Sequence, residues 1–180
     1  MEKENISYVR YLPKNANELA GVYSEVFAGP PWYEKFDRSQ VVLDIQKEIG
    51  FETSAWLAMD EKRVVGFTWG YSKRIPDLEK KLGVSLNISD REVAYQSELG
   101  LLPDYRGQKI ANNLVRLRLD DFLEQNLEYG IVRTKELPEP SVTFSWYTNK
   151  LGYEIIARYP KNDGRVILGR SLIGLRKLLV

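Results

Sequence analysis

The residues best suited to chemistry in this chain lie in the stretch SELGLLPDYRGQKIANNLV, residues 97–115. An apolar run stops at Pro103, turns through Asp104 and Tyr105, and enters an amphipathic pattern at Arg106-Gly107. The first turn of a helix leaves backbone N–H groups unpaired and carries partial positive charge. Ser, Thr, Asp or Asn ordinarily caps such a start. Here its positions are Arg106, Gly107, Gln108 and Lys109. A diphosphate suits those amides. Gly107 removes a side chain where phosphate oxygens must approach the backbone, and Arg106 and Lys109 add cationic charge. The alternative is a helix start solvated by water, with Gly107 serving only the turn.

Other groups point to proton transfer. The chain has no His and no Cys. That excludes a disulfide framework, thiolate or imidazole metal ligands, and Ser-His or Cys-His nucleophile pairs. Proton chemistry near neutral pH is left to Asp, Glu, Tyr, Lys, a terminal amine or water. Glu98 interrupts an apolar run, so its carboxyl is either partly desolvated and suited to take up a proton, or turned off the strand toward solvent or an Arg. Glu92 falls on the same side of an alternating strand and is the alternative base. In the Pro-bounded loop AGPPWYEKFD, Trp32, Tyr33 and Glu34 either wall a pocket, with Glu34 attracting a cationic amine, or form a lid over the core.

The elements that must position these groups follow from hydrophobic period. Residues 5–12 read as a strand. Leu19, Val22, Tyr23, Val26 and Phe27 form one helical face, with Asn15 or Asn17 as its cap, and Val41, Val42, Ile45 and Ile49 form another. SAWLAMD and RVVGFTWGYS make a hairpin, and residues 73–91 a polar insertion holding a short helical DLEKKLG. A strand over 92–102 feeds a helix over 107–125, with Ile110, Ala111, Leu114, Val115, Leu117, Phe122 and Leu123 inward. YGIVRTK is a strand, PEPSVTFSWYTNKLG a short helix capped by Ser141, and YEIIARYP and GRVILGRSL are strands around the turn KNDG. The mixture implies an α/β fold with a mixed sheet. Gly100, in mid-strand, either lets a ligand approach the backbone or marks a bulge.

At 180 residues the chain fits one well-cored domain. A formal net charge of +1 gives no ground for nucleic acid or an acidic membrane as partner. The opening MEKENISYVRYLP lacks the apolar core of a secretory signal, and no stretch approaches the roughly 20 apolar residues of a membrane span, so a cytoplasmic location is expected. The tail IGLRKLLV is apolar enough to pack on the domain or on a second subunit, a homodimer in the latter case.

The stretch LGLLPDYRGQKIANNLV resembles the acetyl-coenzyme A loop of GNAT-type N-acetyltransferases. That pattern is Arg/Gln-x-x-Gly-x-Gly/Ala, entered from a strand usually ending Val-x-Pro-x-Tyr. Pro103, Tyr105, Arg106 and Ala111 match, while Lys109 stands where the family usually has Gly. In SWYTNKLGYEI, Gly152-Tyr153 matches the second half of the family's Tyr-x-x-x-Gly-Phe/Tyr, with Tyr147 one place early. VFAGPPWYEKF is similar to the Pro-Trp loop between the first two helices of some members, and the element order matches the family's over residues 5–171.

The resemblance implies a single GNAT domain over 1–180, with about seven strands, helices on both faces, and a splay between the fourth and fifth strands. It implies transfer of an acetyl group from acetyl-coenzyme A to a primary amine of a small molecule or peptide, by direct attack and without a metal. Arg106, Gly107, Gln108, Lys109, Ile110 and Ala111 would then hold the diphosphate, and Leu99, Gly100 and Leu101 the pantetheine arm. Glu98 would be the base and Tyr147 the proton donor to the thiolate. The shifted spacing turns Tyr147 by about 100° unless a bulge or an early helix end restores its direction. The rival is a catalytically inactive acyl-coenzyme A-binding regulatory domain, which Lys109 and the offset of Tyr147 keep open.

Overall fold

The computed structural model describes residues 6–50, 52–160 and 164–179. In chain order it contains β1 (Ile6–Arg10), α1 (Ala16–Ala28), α2 (Arg38–Glu48), β2 (Ser54–Asp60), β3 (Arg63–Arg74), α3 (Ile75–Leu82) and β4 (Glu92–Leu101). There follow α4 (Ile110–Glu124), β5 (Tyr129–Lys135), α5 (Val142–Ser145), β6 (Glu154–Arg158) and β7 (Arg165–Ser171). Residue 5 of the expected first strand, and 161–163 of the expected KNDG turn, lie outside the described residues.

The strands form one seven-stranded sheet in the order β1-β2-β3-β4-β5-β7-β6. β4 and β5 are parallel, with Ala94 opposite Gly130 and Gln96 opposite Val132, as the expected strand-helix-strand crossover requires. β1 with β2, β2 with β3, β5 with β7 and β6 with β7 are antiparallel. The sheet is therefore mixed and the class α/β, as the sequence suggests. Asp60 faces Arg63, leaving Glu61 and Lys62 as the hairpin turn. Val64–Gly70 of β3 is buried throughout, so both faces of that strand are covered.

The chain divides into two compact units. The first comprises residues up to Gly70 with Glu98–Arg118, the second Tyr71–Ser97 with Leu119 onward. The first unit buries Leu19, Val22, Val26 and Phe27 of α1 and Val41 and Ile45 of α2, with Leu57, Phe67, Trp69, Ile110 and Leu114. These are largely the apolar faces set by the helical period. Asp37 caps α2 by accepting from the Gln40 N–H at 2.9 Å. Asn15 stands at the start of α1, but its side chain turns back to accept from the Leu12 N–H at 3.0 Å.

The second unit corrects the reading of residues 73–91 as a merely polar insertion. Ile75, Leu78 and Leu82 of α3 lie in a core with Val93, Tyr95, Ile131 and Ile167, while Asp77 and Lys80 are exposed. The helix is amphipathic, and its polar face alone dominated the composition. In the tail Leu175 and Leu179 are buried, while Ile173 and Leu178 are exposed.

Candidate active site

In the first unit β4 carries Glu98, Leu99, Gly100 and Leu101 toward a short 3₁₀ turn, Pro103–Tyr105. Tyr105 anchors that turn: it is buried, and its Oη donates to Asp60 Oδ2 at 2.5 Å. Gln108 Nε2 donates to the Asp104 carbonyl at 3.0 Å and Arg106 Nε to the Leu101 carbonyl at 3.3 Å. Gly107 has φ 76° and Lys109 φ 59°, so left-handed residues flank Gln108. Left-handed positions are a component of the backbone nests that bind anions.

α4 opens only at Ile110, three residues after the start that the sequence pattern suggests, because left-handed Lys109 cannot continue a right-handed turn. Its first turn contains no acidic residue, the space around a Cβ on Gly107 is open, and Arg106, Gly107 and Lys109 are exposed. A diphosphate fits such a site. Ile110 is buried in the core, and half-buried Ala111 follows it.

Leu99 and Leu101 are half-buried against the first core. A Cβ on Gly100 would stand 2.4 Å from Phe67 Cζ. The missing side chain makes room for a ring of β3 on bare backbone, a reason the sequence does not show. Glu98 is half-buried, and Tyr23 Oη donates to its Oε1 at 3.4 Å. Burial, then the carboxylates of Glu98, Glu34 and Glu48, push the Tyr23 phenol well above its ordinary value. Tyr23 therefore stays a protonated donor.

Around it lies an aromatic group. The Tyr23 ring is 4.6 Å from Phe27, 5.3 Å from Phe36 and 5.7 Å from Phe67, and Trp32 meets Phe27 edge-on at 5.8 Å. Trp69 Nε1 donates to Glu48 Oε2 at 3.0 Å. Of the loop residues singled out in the sequence, Trp32 and Glu34 join this acidic and aromatic group, whereas Tyr33 is 69% exposed. Glu92 is exposed at the start of β4. Among the described residues, no group of three or more acidic, His or Cys side chains is placed to hold a metal.

Residues 18–144 match the model of the acetyltransferase (GNAT) family. The chain belongs to the GNAT acetyltransferase family. A search of the curated proteins found no match. Among solved structures, PaiA N-acetyltransferase from Thermoplasma acidophilum, in complex with coenzyme A, has a TM-score of 0.62 at 13% identity, covering 93% of this chain and 99% of that one. A GNAT acetyltransferase from Staphylococcus aureus scores 0.67 at 17% identity, with 93% and 99% covered. YncA from Salmonella typhimurium, with its cofactor acetyl-CoA, scores 0.66 at 9% identity, with 93% and 94% covered. At these identities the likeness is one of fold.

Seen as a GNAT chain, the protein keeps its remaining candidate, Tyr147, in the second unit and beyond the residues that the family model matches. Tyr147 is 1% exposed, packs edge-on against Tyr153 at 4.8 Å, and its Oη donates to Gln96 Oε1 at 3.4 Å. Gln96 Nε2 in turn donates to Tyr153 Oη at 2.6 Å. After α5, which Ser141 caps as the sequence suggests, the chain widens into a π-helical turn over Trp146–Lys150, where the Leu151 N–H reaches the Trp146 carbonyl. A π turn absorbs one extra residue. That turn overlaps the interval from Tyr147 to Gly152, in which the sequence carries one residue more than the family pattern.

Three members of the first unit escaped the sequence reading. Tyr23 reads as one more apolar position of α1, and Glu48 as the polar end of α2. Arg118 is 1% exposed although charged. Its signal is present: Leu114, Arg118 and Phe122 occupy one i, i+4 row, with a cation at its middle.

Proposed function

We propose that this GNAT protein transfers an acetyl group from acetyl-coenzyme A to a primary amine of a small molecule or peptide. The observation that carries the reading is the start of α4, an acid-free first turn preceded by Gly107 and Lys109 in left-handed conformation and by Arg106. The diphosphate supplies the negative charge that such a helix start favours. Leu99, Gly100 and Leu101 offer strand backbone to the pantetheine arm.

On the acceptor side, an amine must lose a proton before it can attack a thioester carbonyl. Glu98 is the base in this reading, held by the Tyr23 donor. The carboxylates of Glu34 and Glu48 and the faces of Trp32 and Phe36 suit an incoming cation. Tyr147 serves as proton donor to the departing thiolate, and the π turn in its offset interval supports that role.

The test is steady-state thiol release from acetyl-coenzyme A with a panel of primary amines, beside calorimetric binding of coenzyme A. Turnover with at least one amine is expected. Tight binding with no turnover across polyamine, amino acid and peptide acceptors would make this chain a regulatory acyl-coenzyme A receptor instead.

A further inference from the structure

Arg118 lies outside the groups assigned above to the diphosphate and to the amine. It sits on α4 with 1% exposure. A guanidinium so far from water costs several kcal/mol unless its donors are well used. Its Nη1 is heavily used, although Nε has no hydrogen-bond partner among the described residues. Nη1 donates to Thr68 Oγ1 at 2.5 Å, to the Glu98 carbonyl at 3.0 Å and to the Trp69 carbonyl at 3.3 Å. Thr68 Oγ1 donates to the same Glu98 carbonyl at 2.9 Å. Two side chains, from a helix and from β3, thus converge on a single carbonyl of β4. It belongs to the residue whose carboxylate meets Tyr23.

We propose that Arg118 is a positioning residue for acetyl transfer, fixing the Glu98–Leu99 peptide and, through it, the candidate base. The peptide group is planar and trans. Holding the Glu98 carbonyl toward Thr68 and Arg118 turns the Leu99 N–H away from β3, and fixes the bond from which the Glu98 side chain departs. All three contacts run through Nη1, at the far end of a side chain longer than lysine's, and an ammonium is a point charge on a flexible stem. Position 118 therefore tolerates Lys poorly. The proposal rests on the reading of Glu98 as base.

The test is a double-mutant cycle on kcat, measured with saturating acetyl-coenzyme A and the best amine of the panel. Arg118→Met keeps volume and removes a buried charge but also a donor to the Trp69 and Glu98 carbonyls, so the melting temperature should fall only modestly. Its kcat should fall about thirtyfold, and Arg118→Lys should recover only part of the loss. In the Glu98→Gln background the same Arg118→Met change should lower kcat less than threefold, because the two residues act as one unit. A folded Arg118→Met protein with undiminished kcat, or full additivity of the two changes, overturns the proposal. If Arg118→Met does not fold, Thr68→Val takes its place in the cycle with the same expected coupling and the same overturning results. Should Glu98→Gln alone leave kcat unchanged, the base assignment itself fails, an outcome read before any Arg118 variant is made.

Discussion

Glu98 takes its proposed chemistry from two features of its surroundings: a strand that half-buries it and a phenol, kept protonated, that donates to it. Glu98→Gln keeps the shape and the acceptor oxygen but cannot take up a proton, so kcat should fall by about a hundredfold with coenzyme A affinity unchanged. Thiol-release kinetics beside calorimetry read both quantities. Lys109 poses a different residue-scale question. It occupies φ 59°, where an L side chain crowds the backbone and glycine does not. Lys109→Gly should therefore raise stability by about 0.5 kcal/mol, the relief of strain being partly offset by the freer unfolded chain, as a urea titration would report. The same change removes a cation from the loop, so coenzyme A affinity should drop severalfold at low salt and less at high salt. A lysine retained at a conformational disadvantage fits a charge used by a ligand.

At the scale of elements, the β4-to-α4 joint decides whether a cofactor can dock. A Cβ on Gly107 would meet open space, so the fold should accept a larger residue there apart from the backbone strain at φ 76°. Gly107→Val should leave circular dichroism unchanged while weakening coenzyme A binding at least tenfold, because a β-branched residue will not adopt that conformation and crowds the phosphates. The π turn gives a second element-scale expectation. Tyr147→Phe should lower kcat about tenfold at constant coenzyme A affinity, and stability by about 1 kcal/mol through the lost bond to Gln96. The sequence made most elements legible because amphipathic period is local, as in Leu19 through Phe27 or Val41 through Ile45. It placed the start of α4 three residues early because periodicity carries no backbone handedness. The Tyr23–Glu98 contact spans 75 positions between a helix and a strand, and the Phe67 ring over Gly100 joins two strands. Neither leaves a local pattern to read. Arg118 did leave one, but a cation within an apolar row reads as solvated until its acceptors are known.

For the molecule as a whole, the absence of His removes the usual titration near neutral pH. Its pH response is set elsewhere. Tyr11, Tyr23 and Tyr129 all have phenols raised above the ordinary value, burial being the largest cause in each. Below the ordinary pKa of 10.0 both folded and unfolded chains hold these protons. Above it the unfolded chain releases them and the folded chain keeps them, so stability declines as pH rises. Tyr23→Phe should flatten that decline, measurable as the urea midpoint from neutral pH to about pH 11. The neighbours that keep Tyr23 protonated also make it a built-in optical marker. The readout is an alkaline spectrophotometric titration. Tyr23 should stay silent until the first unit comes apart, and its ultraviolet absorbance would then arrive as a step coincident with the loss of structure.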